Sequence, residues 1–146
     1  MTPEERAFLE RARVGRLATA DGEGNPHAVP VCYALVGDPG ESPGIATPVD
    51  EKPKSTRDLR RVRDVRANPR VALIVDRYAE DWSRLAWVQV RGRAELLDPG
   101  DAGHDRAVRA LEARYDQYSD HALDERVAIR IEVDRTLSWG ALDPGA

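Results

Sequence analysis

The chain has 146 residues, a formal net charge of −4, 41% hydrophobic residues and 33% charged residues. That length and composition suit a single soluble globular domain with one core, and they exclude an intrinsically disordered chain. No stretch approaches the roughly 20 apolar residues that span a bilayer, and the charged residues 1–13 lack the apolar centre of a secretory signal. The single cysteine, Cys32, allows no disulfide within the chain and lies in an apolar stretch typical of a core thiol. We therefore predict one domain over residues 1–146, cytoplasmic and without a membrane partner.

The first fifty residues predict a helix followed by a meander of strands. Thr2 is a suitable N-cap and Glu5 completes a capping box with it, so we expect a helix that ends near residue 13. Turn sequences rich in glycine, proline and asparagine then separate three apolar stretches of strand length. The predicted strands cover 14–20, 27–37 and 45–50.

A short basic helix is predicted over residues 55–68. Ser55 and Asp58 can form a second capping box, and the pair Asn68-Pro69 ends the helix. Arginines occupy most of its surface around a narrow apolar stripe. The stripe consists of Leu59, Val62 and Val65.

The rest of the chain predicts three strands and one helix. The strands cover 70–78, 86–98 and 126–142, and the helix covers 104–118. Residues 86–98 alternate between two faces, with Trp87 and Gln89 on the polar one, and Gly92 in mid-strand predicts a bulge or a sharp bend. Six or seven strands joined by turns, with two or three short helices, indicate an α+β protein, mainly β, built around an antiparallel barrel.

The sequence lacks the signatures of several enzyme classes. The histidines, His27, His104 and His121, have no ligand-like spacing to one another or to Cys32, so we predict no metal site. There is no nucleophile elbow, Walker A loop or dinucleotide-binding fingerprint, and we nominate no catalytic residue. An enzyme without its own nucleophile, metal or acid–base pair takes its reactivity from a cofactor.

The segment 52–63, KPKSTRDLRRVR, is unusually basic for an acidic protein. It contains both lysines of the chain, Lys52 and Lys54, and Pro53 stiffens the link between them. Together with the hydroxyls of Thr47 and Ser55 and a helix N-terminus, these lysines could form a phosphate cradle. A solvated, ion-paired helix face is one alternative. Nucleic acid is another, but the pI near 5.4 and the absence of interleaved aromatic residues oppose it.

Several phrases of the chain together resemble a known superfamily. They are RLATADGEGNPHAVPVCYAL, TPVDEKPKSTRDLRRVRDVRANPRVALIVD and EDWSRLAWVQVRGRAELL, and they cover most of residues 14–97. They resemble the pyridoxamine 5'-phosphate oxidase-like superfamily of flavin/deazaflavin oxidoreductases. The KPK and EDWSRLAWV phrases are similar to its branch of F420-dependent enzymes.

This resemblance implies an FMN-binding split β-barrel fold with short flanking helices. It also implies a homodimer that binds one cofactor in each of two grooves at the subunit interface. Val31, Cys32, Thr47 and Pro48 would line the ring of the cofactor. The residues implied at its phosphate are Lys52, Lys54, Ser55, Arg57, Arg61 and Arg63. Trp87 and Gln89 are candidates to cover the groove.

The activity expected from the resemblance is hydride transfer between the deazaflavin coenzyme F420 and a small organic substrate. F420 carries a phosphodiester and a polyglutamate tail, so it needs more positive charge around it than FMN does. Two alternatives remain at this point: an FMN-binding oxidoreductase of the same superfamily, and a non-catalytic carrier of F420 or haem.

Overall fold

The computed structural model describes residues 1–37, 43–49 and 59–143. Within these ranges the chain forms three α-helices, which are α1 (Pro3–Arg11), α2 (Arg60–Ala67) and α3 (His104–Arg114). The seven strands are β1 (Gly15–Ala20), β2 (Pro26–Val31), β3 (Ala34–Val36), β4 (Gly44–Pro48), β5 (Arg70–Arg77), β6 (Ala86–Leu97) and β7 (Ala128–Gly140). Short 3₁₀ turns cover Trp82–Arg84, Asp116–Asp120 and Leu123–Glu125. None of the helices described has the length and apolar character needed to cross a membrane.

All seven strands belong to one antiparallel sheet in the order β2-β1-β5-β6-β7-β4-β3. The two edge strands, β2 and β3, are neighbours in sequence, with only Cys32 and Tyr33 between them. The sheet must therefore curl until its edges approach each other, and the chain itself joins them. Among the described residues no hydrogen-bonded ladder closes the curl, so the sheet is open. This confirms the α+β class, but the predicted barrel is not closed by hydrogen bonds.

The long ladder between β6 and β7 bends at Gly92. The register shifts between Arg91 and Gly92, so β7 contributes one extra residue, Asp134, at this point. A Cβ atom on Gly92 would overlap the carbonyl oxygen of Glu132 on the facing strand. Only glycine lets the two backbones approach this closely, and the predicted bulge is confirmed.

Two hydrophobic clusters hold the helices against the sheet. The first contains the inward side chains of the strands, with Phe8 and Leu9 of α1 and Val62 and Val65 of α2. The second lies beneath α3 and joins Leu111 and its neighbours on that helix to β3 and β4. Because α2 packs its apolar side inward, its other residues lie at the rim of the sheet, next to β1 and β6.

The predicted helix start at Thr2 is confirmed, and both hydrogen bonds of its capping box with Glu5 are present. The predicted helix over residues 55–68 is not continuous through Leu59. Leu59 has extended dihedral angles (φ −58°, ψ 127°), so the helix begins at Arg60. The proposed capping box of Ser55 and Asp58 lies outside the described residues.

The predicted strand 27–37 is interrupted. Tyr33 is fully buried, its hydroxyl donates to the carbonyl of Leu9 at 2.5 Å, and its backbone N–H donates to the hydroxyl of Tyr115 at 3.2 Å. These bonds to α1 and to the end of α3 take Tyr33 out of the ladder, so β2 ends at Val31 and β3 pairs with β4 instead. Cys32 beside it is half-buried, less enclosed than the core thiol we expected.

Candidate functional site

The junction between β2 and β3 is tied to the end of β4. The Thr47 hydroxyl donates to the Cys32 carbonyl at 2.8 Å, and Thr47 is only 1% exposed. Val31, also buried, pairs with Gly15 immediately before this junction. Four of the predicted ring-lining residues, Val31, Cys32, Thr47 and Pro48, therefore belong to two segments joined by a direct hydrogen bond.

Helix α2 places one arginine next to the end of β4. Arg61 is 6% exposed, and its Nη2 donates to the Pro48 carbonyl at 3.4 Å. Arg63, in contrast, is exposed to solvent. The two helix arginines predicted at the cofactor phosphate therefore lie in different surroundings, with Arg61 beside the strand end and Arg63 on the open side of the helix.

The position of α2 depends on a buried carboxylate that sequence analysis did not single out. Asp64 is 1% exposed and accepts hydrogen bonds from the Thr19 hydroxyl at 2.6 Å and from Arg60 Nε at 2.9 Å. Arg60 also donates to the Asn25 carbonyl, so the helix is fastened to both β1 and its following turn. The i,i+4 spacing of Arg60 and Asp64 was the available signal. Arg60 is partly exposed and contributes to this anchor.

The remaining predicted phosphate contacts cannot be placed. Lys52, Lys54, Ser55 and Arg57 lie outside the described residues, and their roles stay predictions. In the sequence they lie between Pro48 and α2.

Trp87 and Gln89 lie on the solvent side of β6. Both are half-buried. In the antiparallel register, Trp87 faces Trp139 of β7 and Asp76 of β5, and Trp139 is 54% exposed. Gln89 accepts a hydrogen bond from Arg91 Nε at 2.9 Å. The polar face predicted for this strand is thus a half-open surface with an aromatic pair at one end.

The predicted site residues that the structure describes are not all brought together within one chain. Thr47 pairs with Ile129 near the start of β7, whereas Trp87 pairs with Trp139 near its end. Ile129 and Trp139 lie ten positions apart on β7, which is about 33 Å along an extended strand. The predicted residues therefore form two groups: a strand-end group around Thr47 and a sheet-face group around Trp87.

The titratable side chain next to the strand-end group is Tyr33. Its burial raises its pKa well above the usual range of a phenol, and its proton is held by the Leu9 carbonyl. Tyr33 therefore stabilises the fold, and its hydroxyl does not donate a hydrogen bond to a ligand. Among the described side chains, no group of three or more His, Cys, Asp or Glu residues is arranged to hold a metal ion.

The model of the family described as pyridoxamine 5'-phosphate oxidase matches residues 1–140. The chain belongs to this family. A 5a,11a-dehydrotetracycline/5a,11a-dehydrooxytetracycline reductase of Streptomyces rimosus is 29% identical over 140 residues, which are 95% of this chain and 82% of the reductase.

Two solved structures have the same fold. A conserved hypothetical protein of Mycobacterium tuberculosis is 29% identical, with a TM-score of 0.69 over 96% of this chain and 85% of that one. An FAD-binding protein of Mesorhizobium loti is 26% identical, with a TM-score of 0.64 over 90% of this chain and 87% of that one. The family resemblance in the sequence is therefore confirmed.

Proposed function

We propose that this protein is an oxidoreductase that uses coenzyme F420 to reduce a small organic substrate. The observation that carries the proposal is its 29% identity, over 95% of the chain, to a reductase of the same family. Such a relative favours a redox enzyme over a passive carrier. The choice of F420 rests on charge, since the segment from Lys52 to Arg63 offers more cations than a single phosphate monoester requires.

The strand-end group has the donor chemistry that an anionic, ring-bearing cofactor needs. The hydroxyl of Thr47 is occupied by Cys32, which fixes the two segments that would flank the ring. Arg61 is held at Pro48 by one N–H, which places a guanidinium charge beside the strand end. Lys52, Lys54 and Arg57, in the segment that joins Pro48 to α2, are assigned to the phosphate and the acidic tail, with Arg61 and Arg63 supporting them.

When bound, reduced F420 supplies a hydride from C5 of its deazaflavin ring to an electrophilic carbon of the substrate. The contribution of this chain is to bind, orient and exclude water around the reacting atoms. Val31 and Pro48 offer buried apolar surface for that purpose. We nominate no proton donor of the protein, and Tyr33 is unsuited to the role because its hydroxyl is buried and bonded to Leu9.

The working form in this proposal is a homodimer with a cofactor groove at each end of the interface. The strand-end group and the sheet-face group are too far apart along β7 to contact one ring within a single chain. In a twofold dimer, however, the strand-end group of one chain can face Trp87 and Gln89 of its partner. Each groove would then take residues from both chains.

An FMN-dependent oxidoreductase is the second candidate. It is favoured by the 26% identity to an FAD-binding protein of the same fold, because a flavin could occupy the same strand end. FMN would use fewer of the cations between Lys52 and Arg63.

Binding of the purified protein to F420 and to FMN, followed by tryptophan fluorescence, distinguishes these candidates. We expect F420 to bind with a micromolar Kd, and Lys54→Ala or Arg57→Ala to weaken it at least about tenfold, or roughly 1.4 kcal/mol. Arg109→Ala is the matched control, because Arg109 lies on α3 in an exposed pair with Asp105. Tight FMN binding without any response to F420 would replace the first candidate with the second.

A further inference from the structure

We propose that a groove on the solvent face of β1, β5 and β6 binds a small anion that carries phosphate or carboxylate groups. The groove has a volume of about 330 Å³. Arginines and an aspartate form its polar rim, and alanines form much of its floor. Its lining comprises Ala18, Thr19, Ala20, Arg70, Val71, Ala72, Arg91, Gly92 and Asp134.

The rim belongs to an unusual arrangement of like charges. Arg70 on β5 lies directly opposite Arg93 on β6, and Arg91 on β6 lies directly opposite Arg135 on β7. Facing like charges destabilise an antiparallel pair. All four side chains belong to exposed residues, and none forms an ion pair with another described residue. Among the described residues, no ion pair therefore offsets the repulsion between these arginines.

Elsewhere on the same face, the charge of an arginine is neutralised by an aspartate. Arg16 of β1 forms an ion pair with Asp76 of β5 at 2.6 Å. The acids in the lining and at the facing positions of this ladder are Asp134, at the bulge, and Glu132, opposite Arg93. The lining itself has the guanidiniums of Arg70 and Arg91 against the carboxylate of Asp134. The facing Arg93 and Arg135 against Glu132 add a further unit, so these six residues together have an excess positive charge of two. A bound dianion would cancel this excess.

The groove also has room and donors for such a ligand. The methyl side chains of Ala18, Ala20 and Ala72 leave the floor open between the arginines. Arg91 donates its Nε to Gln89, which holds the side chain in one direction and leaves its terminal amino groups to bind a ligand. A guanidinium fork matches the oxygens of phosphate and carboxylate, and it binds them in pairs.

This site does not depend on the redox function proposed above. Inorganic phosphate and citrate are suitable probes, because they present the two anion chemistries separately. Binding is measured by calorimetry and by thermal unfolding of the full chain, with sodium chloride at matched ionic strength as the reference. The variants are Arg70→Gln and Arg91→Gln, and the control is Arg109→Gln on α3.

We expect a saturable rise of Tm with at least one probe, and the probe that binds more tightly identifies the ligand chemistry. Each groove variant should weaken that binding at least tenfold, while Arg109→Gln changes it less than twofold. Removing one arginine of a facing pair should also raise the Tm of the anion-free protein by about 1–3 °C. A variant that merely misfolds would lower it. The site is refuted if neither probe exceeds the chloride reference, or if the groove variants bind as the wild type does.

Discussion

Asp64 is the residue that fixes the position of the helix bearing Arg61 and Arg63. It is buried between the Thr19 hydroxyl and Arg60. Asp64→Ala should lower the free energy of unfolding by about 2 kcal/mol, because it leaves the buried Thr19 hydroxyl without an acceptor and frees Arg60. Urea denaturation measures this loss. Asp105→Ala, at an exposed pair on α3, should cost less than about 0.5 kcal/mol. Equal costs for the two variants would contradict the anchoring role.

Glu5 gives the protein an acid-sensitive contact between α1 and β7. Burial alone would raise its pKa, but hydrogen bonds from the Thr2 backbone and from Ser138 and Thr136 outweigh it, and the pKa is lowered. A lowered pKa means that the stabilisation is present above the ordinary value near 4.5 and is lost as the pH falls through the folded-state value.

We therefore expect Glu5→Gln to be less stable than the wild type by about 1 kcal/mol at pH 7, with this gap closing below pH 4.5. Denaturant unfolding at several pH values measures it. Glu4→Gln, at an exposed position of the same turn, is the control and should leave the wild-type pH profile unchanged. A gap of constant size down to pH 3 would show that the carboxylate charge is not involved.

The residues that sequence predicted well are those with local partners. Thr2 and Glu5 lie within one helical turn, so their capping box could be predicted from the sequence, and it is present. Asp64 meets Thr19, 45 positions away, and Arg61 meets Pro48, 13 positions away. Nothing in the helical periodicity distinguishes these inward polar side chains from the exposed Arg63.

Among the secondary-structure elements, the β6–β7 ladder depends most on one residue. At Gly92 the backbones of the facing strands leave no room for a Cβ atom. Gly92→Ala should lower the free energy of unfolding by at least about 2 kcal/mol, because the facing strands must separate. Gly22→Ala is the control, since its Cβ would meet nothing nearer than 3.9 Å. Thermal and urea unfolding of both variants test this, and equal stability would argue against the close approach.

Strand alternation correctly predicted β6, and an apolar run of strand length at 70–78 correctly predicted β5. The break between β2 and β3 was missed for a different reason. Their combined apolar stretch reads as one strand, and only the bonds of Tyr33 to Leu9 and Tyr115 interrupt it. The non-helical conformation of Leu59 was also missed, since its place on the apolar stripe fits an unbroken helix.

For the whole molecule, sequence predicted the fold class and the family, but not that hydrogen bonds leave the barrel unclosed among the described residues. Strand order brings together residues far apart in the chain, such as Thr47 with Ile129, and periodicity carries no information on such pairs. The same holds for the predicted site. The described site residues are divided between the strand-end group and the sheet-face group, and the proposed dimer would bring the two groups together.

A mixed dimer tests this two-chain groove. Lys54→Ala and Trp87→Ala are prepared separately, and each should bind F420 weakly. Refolding the two together produces mixed dimers, each with one groove that is native on both sides. About one quarter of the wild-type number of binding sites should then return, by the twofold symmetry of the dimer. Mixing that restores no sites would show that both residues serve the same groove from one chain, or that no such groove exists.

Anaerobic single-turnover mixing tests the proposed function most directly. The protein is loaded with reduced F420 and mixed with enones, nitro compounds or quinones, and the recovery of oxidised deazaflavin absorbance is followed. At least one acceptor should reoxidise the coenzyme at least about a thousandfold faster than without protein, as expected for an enzyme. If F420 binds but no acceptor is reduced faster than in free solution, the protein is a carrier of the coenzyme and the proposed activity is wrong.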